Sequence, residues 1–172
     1  YGMAFVYGAT GSTWLPDITA SLIASSPSHT VSFGSYALLI SMVFLLGGLG
    51  FKLAAVPFHM WVPDVYEGSP TPITAFLSVA SKAAGFAIVL RIFYAIYANL
   101  DMDWGFIFAV ISVLSMTVGN IVAIVQTNIK RMLAYSTIAH AGYILIGVAA
   151  FSSDITGADP AGPSGVLFYL WA

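Results

Sequence analysis

Residues 35–62, SYALLISMVFLLGGLGFKLAAVPFHMWV, form a long apolar run whose single formal charge is Lys52. Seventeen uncharged residues of this run precede Lys52 and ten follow it, counting His59 as neutral. About 20 apolar residues in a helix suffice to cross the roughly 30 Å hydrocarbon core of a bilayer. The run therefore predicts a membrane-spanning helix that carries a lysine at membrane depth.

Three more spans and two partial helices continue the pattern. The further spans are predicted at residues 73–98, 104–127 and 132–151, and the partial helices at residues 1–8 and 165–172. Polar, turn-forming connections separate them; they lie at residues 9–34 (with a short interfacial helix at Leu15–Ala24), 63–72, 99–103, 128–131 and 152–164. The sequence predicts an all-α polytopic membrane helix bundle, with residues 1–172 forming a single transmembrane domain.

Composition supports a lipid environment and argues against several other functions. Of the 172 residues 59% are hydrophobic and 7% are charged, against roughly 25% charged in a soluble domain, so the lipid bilayer must solvate part of the surface. A net charge of −2 without a basic patch predicts no nucleic-acid partner. The absence of cysteine excludes thiolate-held metal and iron–sulfur clusters. Three scattered histidines predict no metal site, and no redox centre is expected in this chain.

The two ends and the basic residues in the loops give a predicted topology. The chain starts at Tyr1 without a basic leader and stops inside the apolar run 166–172, so we expect an internal piece of a longer protein. Lys130 and Arg131 are the only basic pair in a loop, which predicts that this turn is cytoplasmic. The connection 63–72 would then be cytoplasmic as well, and the other three connections external.

Two lysines at membrane depth are the main functional candidates. Lys52 and Lys82 each lie inside an apolar span, where a lysine costs about 2.5–3.5 kcal/mol on insertion scales. Neither has an acidic residue in its own span, so a buried carboxylate partner would come from another segment. Such lysines can load and release protons in a bundle interior. The alternatives are a fixed ion pair or a side chain that reaches the headgroups.

The span that carries Lys52 is also predicted to be broken. Gly48 and Gly50 precede the lysine and Pro57 follows it. Proline removes a helical hydrogen bond, and interrupted helices recur at the ion sites of transporters. The alternative is an ordinary proline kink with small residues for close helix packing.

His140 and Arg91 are two further ionisable residues within spans. His140 lies near the middle of the fourth span, flanked by Ser136, Thr137 and Tyr143. An imidazole titrates near neutral pH and suits a proton relay, although a lone buried histidine also serves structural roles. For Arg91, pairing with Asp101 or Asp103 of the following turn, or with the headgroups, is the favoured interpretation.

Three segments of this sequence carry a family resemblance. FKLAAVPFHMWVPDVYEGSPTP (residues 51–72), FLSVASKAAGF (76–86) and NIKRMLAYSTIAHAGY (128–143) resemble the antiporter-like membrane subunits of respiratory complex I, the proton-pumping NADH:quinone oxidoreductase. The similarity runs over about residues 35–150. PDVYEG at residues 63–68 and Ser81–Lys82 are similar to the N-type subunits, whereas L-type subunits and sodium/proton antiporter subunits tend to have a histidine where this sequence has Ser78.

The resemblance implies a site and a set of partners. It implies a larger bundle of two inverted repeats, in which Lys52 is the lysine of a broken helix, Lys82 an adjacent relay lysine and His140 a polar position on the central axis. A glutamate partner for Lys52 and the lysine of a second broken helix would lie outside this chain. The implied function is proton translocation coupled to quinone reduction elsewhere in the complex.

The same resemblance implies a place in a bacterial inner membrane, among other membrane subunits of complex I. Flavin, iron–sulfur clusters and quinone are expected in other subunits, and no cofactor in this chain. Two alternative functions remain from the residues themselves: a subunit of a multi-subunit cation/proton antiporter, and a structural membrane scaffold whose buried lysines form fixed ion pairs.

Overall fold

The structure, a computed structural model, describes residues 1–25, 33–97, 104–153 and 161–171, and these ranges contain helices and no strand. The elements are α1 (Gly2–Thr10), α2 (Leu15–Ser25), α3 (Phe33–Leu53), α4 (Trp61–Gly68), α5 (Thr71–Ile92), a π-helical segment (Phe93–Tyr97), α6 (Trp104–Ile124), α7 (Ile129–Ser153) and α8 (Ala161–Trp171). Long helices that are apolar enough to cross a membrane occur four times in this part of the chain, at α3, α5, α6 and α7. The predicted all-α membrane bundle is confirmed. His29 and the predicted turn at 99–103 lie outside the described residues, as does most of the connection 152–164.

The first predicted span is two helices rather than one. Helix α3 ends at Leu53 and α4 begins at Trp61. Between them Ala54 adopts a left-handed conformation with φ of 61°, and the Val56–Pro57 peptide bond is cis. Pro57 thus lies in the break. Gly48 and Gly50 lie inside α3, so these glycines precede the break and do not form it.

The predicted connection at residues 63–72 is wrong over most of its length, because α4 occupies residues 61–68. Pro63 is the third residue of α4, where its missing N–H needs no helical partner. Asp64 lies in the first turn, where a carboxylate interacts favourably with the helix dipole. Proline and aspartate, taken as signs of a loop, here begin a short helix that is joined to α5 by Ser69 and Pro70 alone.

Small residues bring α6 and α7 close together. A Cβ atom added at Gly119 would lie 2.8 Å from the backbone nitrogen of Ala139, and one at Gly142 would lie 2.9 Å from that of Met116. The Ser112 hydroxyl donates to the Gly142 carbonyl oxygen at 2.6 Å. Such close contacts are typical of membrane helix pairs, and this pair provides a fixed support for the residues that α7 presents on its other side.

The far end of α5 is tied to α2 and α3 by hydroxyl groups. The hydroxyl groups of Ser41 and Tyr97 are both buried and lie 2.6 Å apart. The Thr19 hydroxyl donates to the Ala95 carbonyl oxygen of the π-helical segment at 2.9 Å. These contacts hold α5 against α3, which fixes the position of Lys82 relative to the break.

Candidate functional site

Lys82 lies in the interior of the protein. Its side chain is on the face of α5 that also carries Gly85 and Phe86, and the residue is only 6% exposed. The ammonium group donates a hydrogen bond to the backbone carbonyl oxygen of Thr137, 2.6 Å away on α7. In the described residues, no carboxylate forms a salt bridge with Lys82. A carbonyl dipole is therefore the polar partner that the structure gives to this buried amine.

A cleft of ≈ 400 Å³ lies between α4, α5 and α7. The hydroxyl-bearing residues Thr71, Thr74 and Ser78 of α5 line it, and Ser136 and Thr137 of α7 line it from the other side. Thr137 thus lines the cleft with part of its surface and accepts the Lys82 hydrogen bond with its carbonyl. Thr137 therefore connects the buried amine of Lys82 to the cleft.

His140 and Lys130 line the same cleft at different positions along α7. Lys130 lies near the start of α7, and His140 follows Thr137 by three residues, close to one helical turn. The cleft therefore extends from the end of α7 that carries the predicted cytoplasmic turn to the imidazole in its middle. Its hydroxyl groups and imidazole are groups that can bind and order water.

Two aromatic residues hold the His140 ring. Its Nδ1 is hydrogen-bonded to the hydroxyl group of Tyr169 on α8. The Tyr143 ring meets it edge-on, with ring centroids 5.7 Å apart and an interplanar angle of 89°. The Tyr143 hydroxyl in turn accepts a hydrogen bond from the Asn120 amide at 3.1 Å. The imidazole is thus oriented from two sides.

Lys52 lies in the last turn of α3, immediately before the break. A Cβ atom added at Gly85 would lie 3.9 Å from Lys52 Cδ, so the lysine stem passes beside α5 one turn beyond Lys82. The Lys52 side chain is exposed in this chain, and it forms no salt bridge with a described residue. Lys52 and Lys82 therefore approach neighbouring turns of α5, with Lys82 facing inward.

The backbone groups released by the break have protein partners. The Val56 N–H donates to the Ser115 hydroxyl oxygen of α6 at 3.0 Å, and the Ala55 N–H donates to the Gly50 carbonyl oxygen at 2.9 Å. The Trp61 indole N–H reaches the Phe51 carbonyl oxygen at 3.0 Å. Irregular backbone at membrane depth requires such partners, so these hydrogen bonds stabilise the break within the fold.

Charged side chains fasten α4 to the start of α7. The Arg131 guanidinium forms ion pairs with Asp64 and Glu67. The Asn128 amide donates to Glu67 Oε1 at 2.8 Å, and the Lys130 ammonium donates to the Ser69 carbonyl oxygen at 3.0 Å. We call Asp64, Glu67, Asn128, Lys130 and Arg131 the α4–α7 clamp. It lies at the end of the cleft that Lys130 lines.

Two other candidates lie away from the cleft. His59 is buried in the break, and its carbonyl oxygen accepts a hydrogen bond from the Val62 N–H at 3.1 Å. Arg91 is exposed near the end of α5. Its predicted partners, Asp101 and Asp103, lie outside the described residues.

The cleft lining was overlooked at the level of sequence, although the spacing could have revealed it. Thr71, Thr74, Ser78 and Lys82 follow one another at intervals of three or four residues. This spacing puts four polar side chains on one face of an otherwise apolar helix. Together with the polar positions 136, 137 and 140 of α7, this stripe predicts a polar surface between the two helices.

Comparisons with known proteins identify the family of this chain. The family described as NADH:quinone oxidoreductase/Mrp antiporter, TM, matches residues 1–162. The chain is 50% identical over 171 residues to NADH-quinone oxidoreductase subunit N of Desulforamulus reducens, covering 99% of this chain and 33% of that protein. It is 48% identical over 171 residues to NAD(P)H-quinone oxidoreductase subunit 2 of Synechococcus elongatus, with 99% and 30% covered. It therefore spans about a third of the length of these curated relatives.

Solved membrane complexes contain the same arrangement of helices. A chain of respiratory complex I from Thermus thermophilus with bound aureothin superposes with a TM-score of 0.68 and 38% identity, covering 99% of this chain and 33% of that one. A chain of the Mrp complex from a Dietzia species superposes with a TM-score of 0.77 and 27% identity, covering 98% and 28%. Both similarities extend over nearly all of the present chain.

Proposed function

Because this chain belongs to the NADH:quinone oxidoreductase/Mrp antiporter family of membrane proteins, we propose that it is part of an N-type proton-translocating subunit of NADH:quinone oxidoreductase. The observation that carries the proposal is the contact between the buried Lys82 amine and Thr137, a residue that also lines the cleft, whose walls carry hydroxyl groups and an imidazole. A buried amine next to a space that can hold water is suited to accept and release protons.

The proton path begins in the cleft. Protons enter at the Lys130 end and move along water ordered by the hydroxyl groups of Thr74, Ser78 and Ser136, which line the cleft. His140 and Lys82 exchange protons with this water. Protonated Lys82 is held by the Thr137 carbonyl oxygen, and the neutral amine can take up a proton again from the cleft side.

Lys52 provides the link to the driving reaction. Its stem passes beside Gly85, near Lys82 on the same helix, and its exposed amine is free to meet a carboxylate from a segment outside the described residues. A carboxylate close to an ammonium stabilises the charged form, and the effect grows as both are shielded from water. Quinone reduction elsewhere in the complex would change this pairing and thereby the proton affinity of Lys52 and Lys82.

The remaining parts of the enzyme belong to other subunits. Flavin, iron–sulfur clusters and quinone would be bound there, and other membrane subunits of the complex and lipid would cover the apolar outer surface of this chain. The relatives from bacteria favour the inner membrane of a bacterial cell.

The competing function is that of a subunit in a multi-subunit cation/proton antiporter. The similarity to the Mrp complex favours it. The 50% identity to a subunit N and Ser78 at a position where antiporter subunits tend to have histidine argue for the oxidoreductase. Sodium-dependent proton exchange by the purified complex, without NADH oxidation, would support the antiporter instead.

The test replaces Lys82 by methionine in the assembled complex, reconstituted into vesicles. Methionine retains the length and apolar stem of lysine but cannot bind a proton. We expect proton uptake per NADH oxidised to fall well below the wild-type ratio while the complex still assembles. Arg91→Met is the matched control, because it removes a cation of α5 outside the cleft. A Lys82→Met complex that pumps at the wild-type ratio would refute the proposed function.

A further inference from the structure

The hydrogen bond between Tyr169 and His140 suggests a role for a residue of α8. We propose that Tyr169 is a positioning residue that fixes the orientation of the His140 ring for proton exchange with the cleft. The inference rests on the proposed function, because it assigns to Tyr169 an effect on proton movement through His140.

Close packing of α8 on α7 fixes the position of Tyr169 relative to His140. A Cβ atom added at Gly147 would lie 2.6 Å from Val166 Cγ2 and 3.1 Å from the Gly162 carbonyl oxygen, so the two helices approach closely at this glycine. Val166 is buried, and Tyr169 follows it by three residues, about one helical turn later. The Tyr169 hydroxyl then reaches His140 Nδ1.

The hydrogen bond determines which imidazole nitrogen serves the cleft. A neutral imidazole has one donor and one acceptor nitrogen, and a tyrosine hydroxyl can pair with either kind, so the contact fixes the orientation of the ring in both tautomers. Tyr169 engages Nδ1, so Nε2 is the nitrogen that takes up and releases a proton. Tyr143 restrains the plane of the same ring from its edge. The ring is thereby held in one orientation beside the cleft that His140 lines.

A packing role alone would not need the hydroxyl group. Tyr169 is 39% exposed in this chain, and a phenylalanine ring would fill the same space. Tyr169→Phe therefore removes the polar contact with little change in volume, which makes it a sharp test. Tyr7→Phe is the matched control, because Tyr7 is an exposed tyrosine of α1 that does not line the cleft.

The experiment measures proton translocation by the assembled complex in vesicles, with its NADH-driven turnover monitored in parallel. We expect Tyr169→Phe to reduce the proton translocation rate roughly two- to tenfold, the range given by the net loss of one hydrogen bond. Tyr7→Phe should retain the wild-type rate. A wild-type rate in the Tyr169→Phe complex would overturn the inference.

A double-mutant cycle separates positioning from packing. If Tyr169 acts through His140, Tyr169→Phe should have no further effect in a His140→Gln background. An equal reduction in both backgrounds would overturn the inference, because Tyr169 would then act by holding α8 in place. Each of these two negative results concerns Tyr169 alone. The proposed function is tested separately by Lys82→Met, so a failure of the inference is distinguishable from a failure of the proposed function.

Discussion

The stem of Lys52 passes beside Gly85, with Cδ 3.9 Å from the position of a Cβ atom on that glycine, and Leu53 fills the space next to it. Gly85 lies one turn after Lys82 on α5. The glycine thus allows the end of α3 to lie against α5, and it brings the two lysine-bearing elements together just before the helix break.

Replacing Gly85 by alanine should destabilise the protein. The new Cβ atom would lie 2.7 Å from Cδ2 of the buried Leu53. Overpacking against this buried side chain costs up to about 3 kcal/mol, more than the gain of roughly 1 kcal/mol for alanine over glycine in a helix. Thermal unfolding of the purified complex measures the change. Gly8→Ala, in open space on α1, should unfold at or above the wild-type temperature, and equal behaviour of the two variants would contradict the prediction.

Ser115 should contribute more to stability than Ser112, one turn earlier on α6. Ser115→Ala leaves the buried Val56 N–H of the break without its acceptor, which costs about 1–3 kcal/mol. Ser112→Ala removes a donor to the Gly142 carbonyl oxygen, an oxygen that lies inside α7 and retains its helical partner. Both serines are buried and lose the same atom. The difference in unfolding free energy between the two variants measures how much the hydrogen bond from Val56 to Ser115 stabilises the protein. Hydrogen exchange at Val56 should also become faster in Ser115→Ala. Equal losses of stability in the two variants would contradict the prediction.

The long spans could be predicted from sequence because lipid imposes a simple requirement on each of them. About 20 apolar residues in a row identify a span whatever its neighbours are, and the predicted spans at 104–127 and 132–151 correspond to α6 and α7. The location of Lys82 well inside a span follows from the same count of apolar residues. Pro57 signalled a break because its effect on a helix is local.

The cleft and the half-helix α4 depend on packing, which a single sequence does not reveal. Pro63 and Asp64 are common in loops and also suit a helix start, so only the contact of α4 with α7 decides between the two. The same holds for Arg131, which indicated a membrane side but also pairs with two carboxylates of α4. The exact end of α3 at Leu53 and the pairing of His140 with Tyr169 are likewise tertiary features.

Arg131→Met should loosen the α4–α7 clamp. It removes the ion pairs with Asp64 and Glu67, and because these side chains are partly exposed, salt screens their interaction. We expect a lower unfolding temperature than wild type at low salt and a smaller difference at high salt. Hydrogen exchange in α4 should rise in parallel. Arg91→Met serves as a control for the loss of a cation, and a difference that does not change with salt would argue against an electrostatic clamp.

Two substitutions of Lys52 distinguish a proton carrier from a fixed ion pair. Lys52→Ala removes both charge and proton, and we expect it to abolish or greatly reduce proton pumping while the complex still assembles. Lys52→Arg keeps the charge, but a guanidinium group does not release its proton in proteins. If Lys52 must load and release a proton, arginine should fail to restore pumping. If Lys52 instead forms a fixed ion pair in a structural scaffold, Lys52→Ala should impair assembly and leave the proton-to-electron ratio unchanged. Lys52→Arg should then assemble like the wild type. Proton uptake per NADH oxidised, measured in vesicles for both variants, decides between the two roles.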